Sequence, residues 1–316
     1  MDFRTKLILP PSKYKIHHKD AILLLGSCFI ENMSARLMSA GFGVDVNPFG
    51  IVYNPSSMGE LLRFLMSEEM MKAEDLFLSE GLYHSFSHHS EFSNFNMDKA
   101  LQNMNCRLLN SRLFLKKADV LIITFGTAYA YSLKSTGSMV SNCHKLPDKL
   151  FYRRRLSIDE IVVEWQVLLA YMRRINPNLR CLFTVSPIRH LKDGLHENSL
   201  SKSTLLLAVD ALVQDNDFCT YFPAYEILLD DLRDYRFYAE DMLHPSAMAV
   251  DYIWNIFSQS FFDQGSLSLI SEWGSLQKRL QHRSFNPYSQ QHKEFVLATK
   301  NKIEAFLQKN PSFKRK

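Results

Sequence analysis

Three side chains stand where their types could do chemistry together. Ser27 comes directly after the apolar run 21–25 and Gly26, and directly before a helical pattern. A buried strand that turns at once into a helix leaves such a hydroxyl at the sheet edge, beside the unpaired N–H groups of the helix N-terminus. A serine hydroxyl is almost never ionised at neutral pH, so it needs a base. Asp241-Met242-Leu243-His244 supplies one, with a carboxylate three residues ahead of an imidazole and a helical pattern just behind. The carboxylate can fix the ring tautomer and steady the imidazolium that forms during acyl transfer. Ser27 is thus the expected nucleophile, His244 the base and Asp241 its orienting partner. Taken singly, a serine at a strand end is usually a helix cap, and a DxxH spacing is usually accidental. The pairing gains weight because one member follows the first strand and the other follows the last. Cys28 is a second possible nucleophile, since a thiol at a helix N-terminus can have a lowered pKa. Lying one step along the helix, it is expected to face elsewhere.

The elements that must position these groups alternate between short apolar runs and longer helical patterns, which predicts a parallel sheet covered by helices. Residues 21–25 read as a buried strand. Phe29, Met33 and Leu37 give the following helix one apolar face, ending near Gly41. Residues 43–47 suggest a second strand, 57–66 a helix, and 67–96 an irregular insertion rich in Ser, His and Phe. Helix is expected over 97–117, and the clearest strand over 119–124. Ser157 with Glu160 forms a capping box, and Pro177 closes the helix behind it. A fourth strand covers 181–185, a helix lies within 200–214, and 220–227 is a fifth strand or extended segment. The last helix of this unit is expected to start at Pro245. The chain divides into an α/β domain over 1–264 and a helical extension over 265–316. The fold class is a three-layer αβα sandwich with a mainly parallel sheet, whose sites gather at the carboxyl ends of the strands.

Composition narrows the function classes. With 37 basic and 33 acidic residues in 316, the net charge of +4 is mild and points to no nucleic-acid partner. The start of the chain lacks the order of a secretory signal, and its apolar runs are too short to span a bilayer. Five scattered cysteines without a CxxC pair read as free thiols in a reducing compartment. A cytoplasmic location without membrane association is therefore expected; the oligomeric state is not readable. No P-loop or GxGxxG is present, and His84, His88 and His89 lack the partners of a metal site, so neither metal nor organic cofactor is expected.

Gly26-Ser27-Cys28-Phe29-Ile30 resembles the motif of the GSCFA family, a bacterial family within the SGNH/GDSL hydrolase group. Further blocks resemble that family in order: Asn47-Pro48-Phe49-Gly50-Ile51-Val52-Tyr53-Asn54-Pro55, Phe125-Gly126-Thr127-Ala128, Asn142-Cys143-His144-Lys145, Thr184-Val185-Ser186-Pro187, and the segment from Arg236 to Pro245. The resemblance implies acyl-ester hydrolysis through an acyl-serine, with Ser27, Asp241 and His244 as catalytic residues. It also implies oxyanion donors from the N–H of Ser27, from Gly50 and from a third block. There the G-x-N of the wider group is replaced by Gly126-Thr127-Ala128, whose alanine side chain cannot donate, leaving Thr127 or a backbone N–H as the substitute. Asn54, His144, Lys145, Arg189 and His190 are the expected substrate contacts. A small-molecule or carbohydrate ester, such as an O-acetyl ester, is the expected substrate. An acyltransferase using the same site is the nearest alternative, and a catalytically silent member that binds a glycan or protein is the rival from another class.

Overall fold

A computed structural model describes residues 5–10, 12–282 and 284–313. In chain order the elements are β1 (Ala21–Gly26), α1 (Cys28–Ser39), β2 (Gly43–Val46), α2 (Pro55–Met66), a hairpin of β3 (Phe77–Ser79) and β4 (Leu82–His84), α3 (Met97–Lys116), β5 (Val120–Phe125), β6 (Tyr129–Leu133), β7 (Met139–Val140), β8 (Phe151–Arg155) and α4 (Ile158–Ile175). The chain continues with β9 (Arg180–Val185), α5 (Gly194–Asp215), β10 (Cys219–Phe222), the single turn α6 (Ala224–Glu226), α7 (Ala247–Phe261), α8 (Gln264–Leu280) and α9 (Gln290–Lys309).

The main sheet has five strands in the order β10-β9-β5-β1-β2, every neighbouring pair parallel. Side chains of a strand alternate between faces, and two cores result from that period. Leu23, Leu25, Leu121, Ile123, Phe125 and Phe183 join one cluster with side chains of α2, α4 and α5. Ile22, Leu24, Val120, Ile122 and Leu182 join the other with Phe29, Met33 and Leu37 of α1 and Ile253 and Phe257 of α7. The result is a three-layer αβα sandwich. Counting only the sheet's strands, their order is 2-1-3-4-5, so the chain reverses its direction of growth between β1 and β5. A crevice opens at such a reversal, beyond the carboxyl ends of the strands.

The capping box predicted at Ser157 and Glu160 is present, with both reciprocal bonds, and α4 ends at Ile175 ahead of Pro177. Other boundaries move. Strand β10 is confined to Cys219–Phe222, and the chain then coils into α6 and a π-helix over Ile227–Leu232. Helix α7 begins at Ala247 with Ser246 as its cap, because the Ser246 hydroxyl accepts from Ala249 N–H, so Pro245 lies before the helix. Residues 129–155 hold an antiparallel sheet, β7-β6-β8, where the sequence predicts only a polar stretch. Its strands carry Tyr129, Tyr131, Arg153 and Arg155, and the guanidinium of Arg153 stacks 4.0 Å from the Tyr129 ring, so the apolar alternation that marks a strand is missing. Residues 67–96 form short 3-10 turns around the β3–β4 hairpin. Of the histidines there, His84 and His88 are buried, His88 against Phe49 and Phe92, while His89 is half-buried. Among the described residues no helix is long and apolar enough to cross a membrane.

Helices α8 and α9 pack on one another through Trp273, Leu276, Ile303 and Phe306, and their cluster includes Phe313. Trp273 donates its indole N–H to Ser39 O at 3.0 Å, capping the end of α1. The Phe313 ring stacks on His18 at 4.9 Å and lies over Gly41, where a Cβ would come within 2.2 Å of it. Gly41 also has φ +82, a left-handed backbone that side chains disfavour. Gly41→Ala should therefore destabilise the protein by about 1–3 kcal/mol, from strain plus displacement of that ring. Urea unfolding measures this, and an unchanged midpoint would show that the contact holds nothing.

Candidate active site

Strand β1 closes on Gly26, whose φ is +154 and whose missing Cβ would lie 2.6 Å from Thr124 O. Only glycine lets β1 come this close to β5 at the point where the chain turns into α1. Ser27 then serves as the helix N-cap: its Oγ accepts from Phe29 N–H at 3.4 Å. The residue is 1% exposed. Cys28 opens the helix and is half-buried.

Register puts several groups at one level. Gly26 pairs with Thr124, and Thr124 pairs with Thr184. Two residues beyond each of these stand Cys28, Gly126 and Ser186. Gly126 and Ser186 thus stand at one level at the carboxyl ends of β5 and β9, beside the point where Gly26 turns β1 into α1.

The opposite wall is the loop ahead of α7. It is closed by Ala239 N–H to His244 O at 2.7 Å and Ser246 N–H to Phe237 O at 2.8 Å, with Met242 in left-handed geometry at φ +58. Within it the N–H groups of Leu243 and His244 both donate to Asp241 Oδ1 at 2.9 Å, while His244 Nδ1 meets Asp241 Oδ2 at 2.5 Å. The backbone donors, and after them the imidazole, pull the Asp241 pKa down to about 2, so the group is a carboxylate at neutral pH. A carboxylate only accepts, so Nδ1 carries a proton and the neutral ring presents Nε2 as an acceptor.

Nε2 does not meet the Ser27 hydroxyl. It lies 3.5 Å from the Cys28 sulfur. The expectation that Cys28 faces elsewhere is thereby corrected: Ser27 is turned into the protein to cap the helix, and the next side chain points at the imidazole. The expected lowering of the thiol pKa does not hold either. Burial and then Glu31 push it up, against a smaller lowering from the N–H groups of Cys28 and Phe29 and from Lys202. The resting group is a thiol and needs a base to become a nucleophile.

The other expected residues divide. Gly50 N–H is occupied by Asn47 O at 2.8 Å. Thr127 Oγ1 is engaged with Ser201 Oγ at 3.1 Å and accepts from Tyr129 N–H, and the N–H groups of Gly126 and Thr127 both donate to Tyr53 O. The backbone N–H groups of Gly50 and Thr127 are therefore both taken by carbonyls, whereas Cys28 N–H at the start of α1 is taken by none among the described residues. Asn54 is buried and caps α2, with Oδ1 on Ser57 N–H and Nδ2 on Ser57 Oγ. His144 is held by Ser85 O at 2.8 Å and Ser90 Oγ at 3.1 Å, tying the insertion to the loop after β7; Lys145 beside it is exposed. Arg189 and His190 do belong beside the crevice. Arg189 stacks over Tyr238 at 4.9 Å, on the His244 loop, and His190 meets the Tyr53 ring edge-on at 5.4 Å.

Lys202 is not among the residues that the sequence motifs single out. It is 1% exposed and its ammonium donates to Gly126 O at 2.6 Å and Ser186 O at 2.7 Å, tying the ends of β5 and β9 beneath the site. Burial brings its pKa down to about 7. Helical spacing held the signal, since Asn198, Ser201 and Lys202 continue the buried face of Leu205, Ala208 and Leu212. Among the described residues no cluster of three His, Cys, Asp or Glu side chains could hold a metal ion.

The sequence profile of the GSCFA family matches residues 21–257, and that of the C-terminal domain of GSCFA proteins matches 273–315. No curated protein matches. Solved structures that resemble the chain include a protein described as a GDSL-like lipase from Parabacteroides merdae, at 11% identity and TM-score 0.41, over 79% of this chain and 98% of that one. The Clostridium thermocellum family 3 carbohydrate esterase matches at 11% identity and TM-score 0.34, over 80% and 97%. A carbohydrate esterase family 3 structure from Talaromyces cellulolyticus matches at 12% identity and TM-score 0.34, over 80% and 99%.

Two buried imidazoles make the fold sensitive to acid. Burial brings the pKa of His88 down to about 3 and that of His190 to about 4. An unfolded imidazole titrates near ~6.5, so between these values the unfolded chain binds more protons and stability is lost as the pH drops. The contribution of each is complete above ~6.5 and about 2 kcal/mol smaller at pH 5. Denaturation at pH 7 and pH 5 should show this loss, and His88→Gln should shrink it. An equal loss in that variant would assign the acid sensitivity elsewhere.

Proposed function

The chain belongs to the GSCFA family, and on that premise we propose that it cleaves an acyl ester through a covalent acyl-enzyme formed at the carboxyl edge of its sheet. The observation that carries this reading is the Asp241–His244 pair, built by one tight loop and aimed by Nε2 at the first turn of α1.

The nucleophile comes from the turn that joins β1 to α1. His244 takes its proton as general base and returns it to the leaving alcohol as general acid. Asp241 holds the ring in the required tautomer and steadies its charged form. Negative charge on the carbonyl oxygen is met by the Cys28 N–H that opens α1, where the helix dipole also favours an anion. Water then completes hydrolysis.

A short acyl ester on a carbohydrate is the first substrate class to test. Tyr235 is 62% exposed beside Arg189 and Tyr238, so the rim next to His244 offers an aromatic face and a cationic donor to a hydroxylated ring.

His244→Ala should lower turnover of acetylated sugars or aryl acetates by at least about 1,000-fold, and Asp241→Asn by about 100- to 10,000-fold, with the fold intact. Comparable kcat/KM in either variant and the parent would remove the enzymatic reading.

A further inference from the structure

We infer that the nucleophile is the sulfur of Cys28 and that Ser27 is the structural cap which aims it; this rests on the acyl-transfer reading above. Geometry separates the two neighbours. The His244 Nε2 that must remove the proton lies 3.5 Å from Cys28 Sγ, within range for an S–H donor. Ser27 Oγ is turned back to Phe29 N–H in a buried residue. A substrate can approach the half-buried Cys28 side chain, whereas Ser27 is enclosed.

Reaction proceeds by concerted proton removal, because burial and Glu31 keep the resting thiol protonated. The Sγ–H proton passes to His244 Nε2 as sulfur bonds to the acyl carbon. The tetrahedral oxyanion then collapses, the C–O bond to the alcohol breaks, and the departing oxygen takes the proton from Nε2. The intermediate is an acyl thioester on Cys28. Water gives a proton to Nε2 as it attacks that thioester; the carboxylic acid leaves, and the sulfur recovers its proton. The lysine beneath the site favours the negative charge in both halves. Its ammonium donates to the carbonyls of Gly126 and Ser186 at the carboxyl ends of β5 and β9.

Two measurements test the assignment. Alkylation of the folded protein by iodoacetamide, read peptide by peptide, needs no substrate. His244→Ala should slow carboxamidomethylation of Cys28 at neutral pH by at least about tenfold while leaving the exposed Cys106 unchanged. An unchanged ratio of the two rates would overturn the proposal. Turnover is the second measure. Cys28→Ala should lose at least about 1,000-fold, whereas Ser27→Ala should stay within about tenfold of the parent. The trapped acyl group should sit on the Cys28 peptide and be released by neutral hydroxylamine, as thioesters are. A hydroxylamine-stable adduct on Ser27, with His244→Ala inactive, would sink the thiol assignment and leave the acyl-transfer reading standing. Full turnover in His244→Ala would sink that reading itself.

Discussion

One hydrogen bond fixes the chemistry available to this protein, the 2.5 Å contact between His244 Nδ1 and Asp241 Oδ2. It decides which ring nitrogen carries the proton, and so which is free to accept one. Two backbone N–H groups hold the carboxylate from the other side, so the ring is oriented by its own short loop and not by a distant partner. The loop needs a left-handed residue at Met242 to close. The turn at the carboxyl end of β1 brings a side chain to that nitrogen.

Much of the layered fold was legible in the sequence because burial dictates composition. Residues 21–25, 119–124 and 181–185 are apolar since both faces of a parallel sheet are covered. The helix cap at Ser157 is equally local, a polar side chain satisfying the first N–H groups behind it, whereas Asn54, expected to touch substrate, turns out to cap α2 in the same way. The β6–β8 sheet was not legible. Its core-facing positions hold residues such as Ala130, Val140 and Phe151, but its other face is covered by Arg–Tyr stacking, so no alternation of apolar and polar types betrays it.

The site was legible in its residues and not in its geometry. The sequence placed a serine, a cysteine and a histidine-bearing loop at strand ends. It could not say which of two adjacent side chains points outward, because that depends on whether the first helical turn starts at Ser27 or Cys28. The structure starts it at Cys28, leaving Ser27 extended at φ −76 and ψ 178 with its oxygen over the helix axis. The oxyanion donors expected from Gly50 and Thr127 failed for a related reason. A backbone N–H has no sequence signature of its own, and here each is already held by Asn47 O or Tyr53 O.

Helix α1 is anchored at both ends by different parts of the chain. Its first turn meets the His244 loop, while its last carbonyls accept from Trp273 and its closing turn lies beneath Phe313. A rod fixed at one end transmits any tilt to the other. The two anchors stand some 18 Å apart by the rise of twelve helical residues (about 1.5 Å each). The terminal helices, remote from the crevice, thus brace the far end of the helix that opens with Cys28.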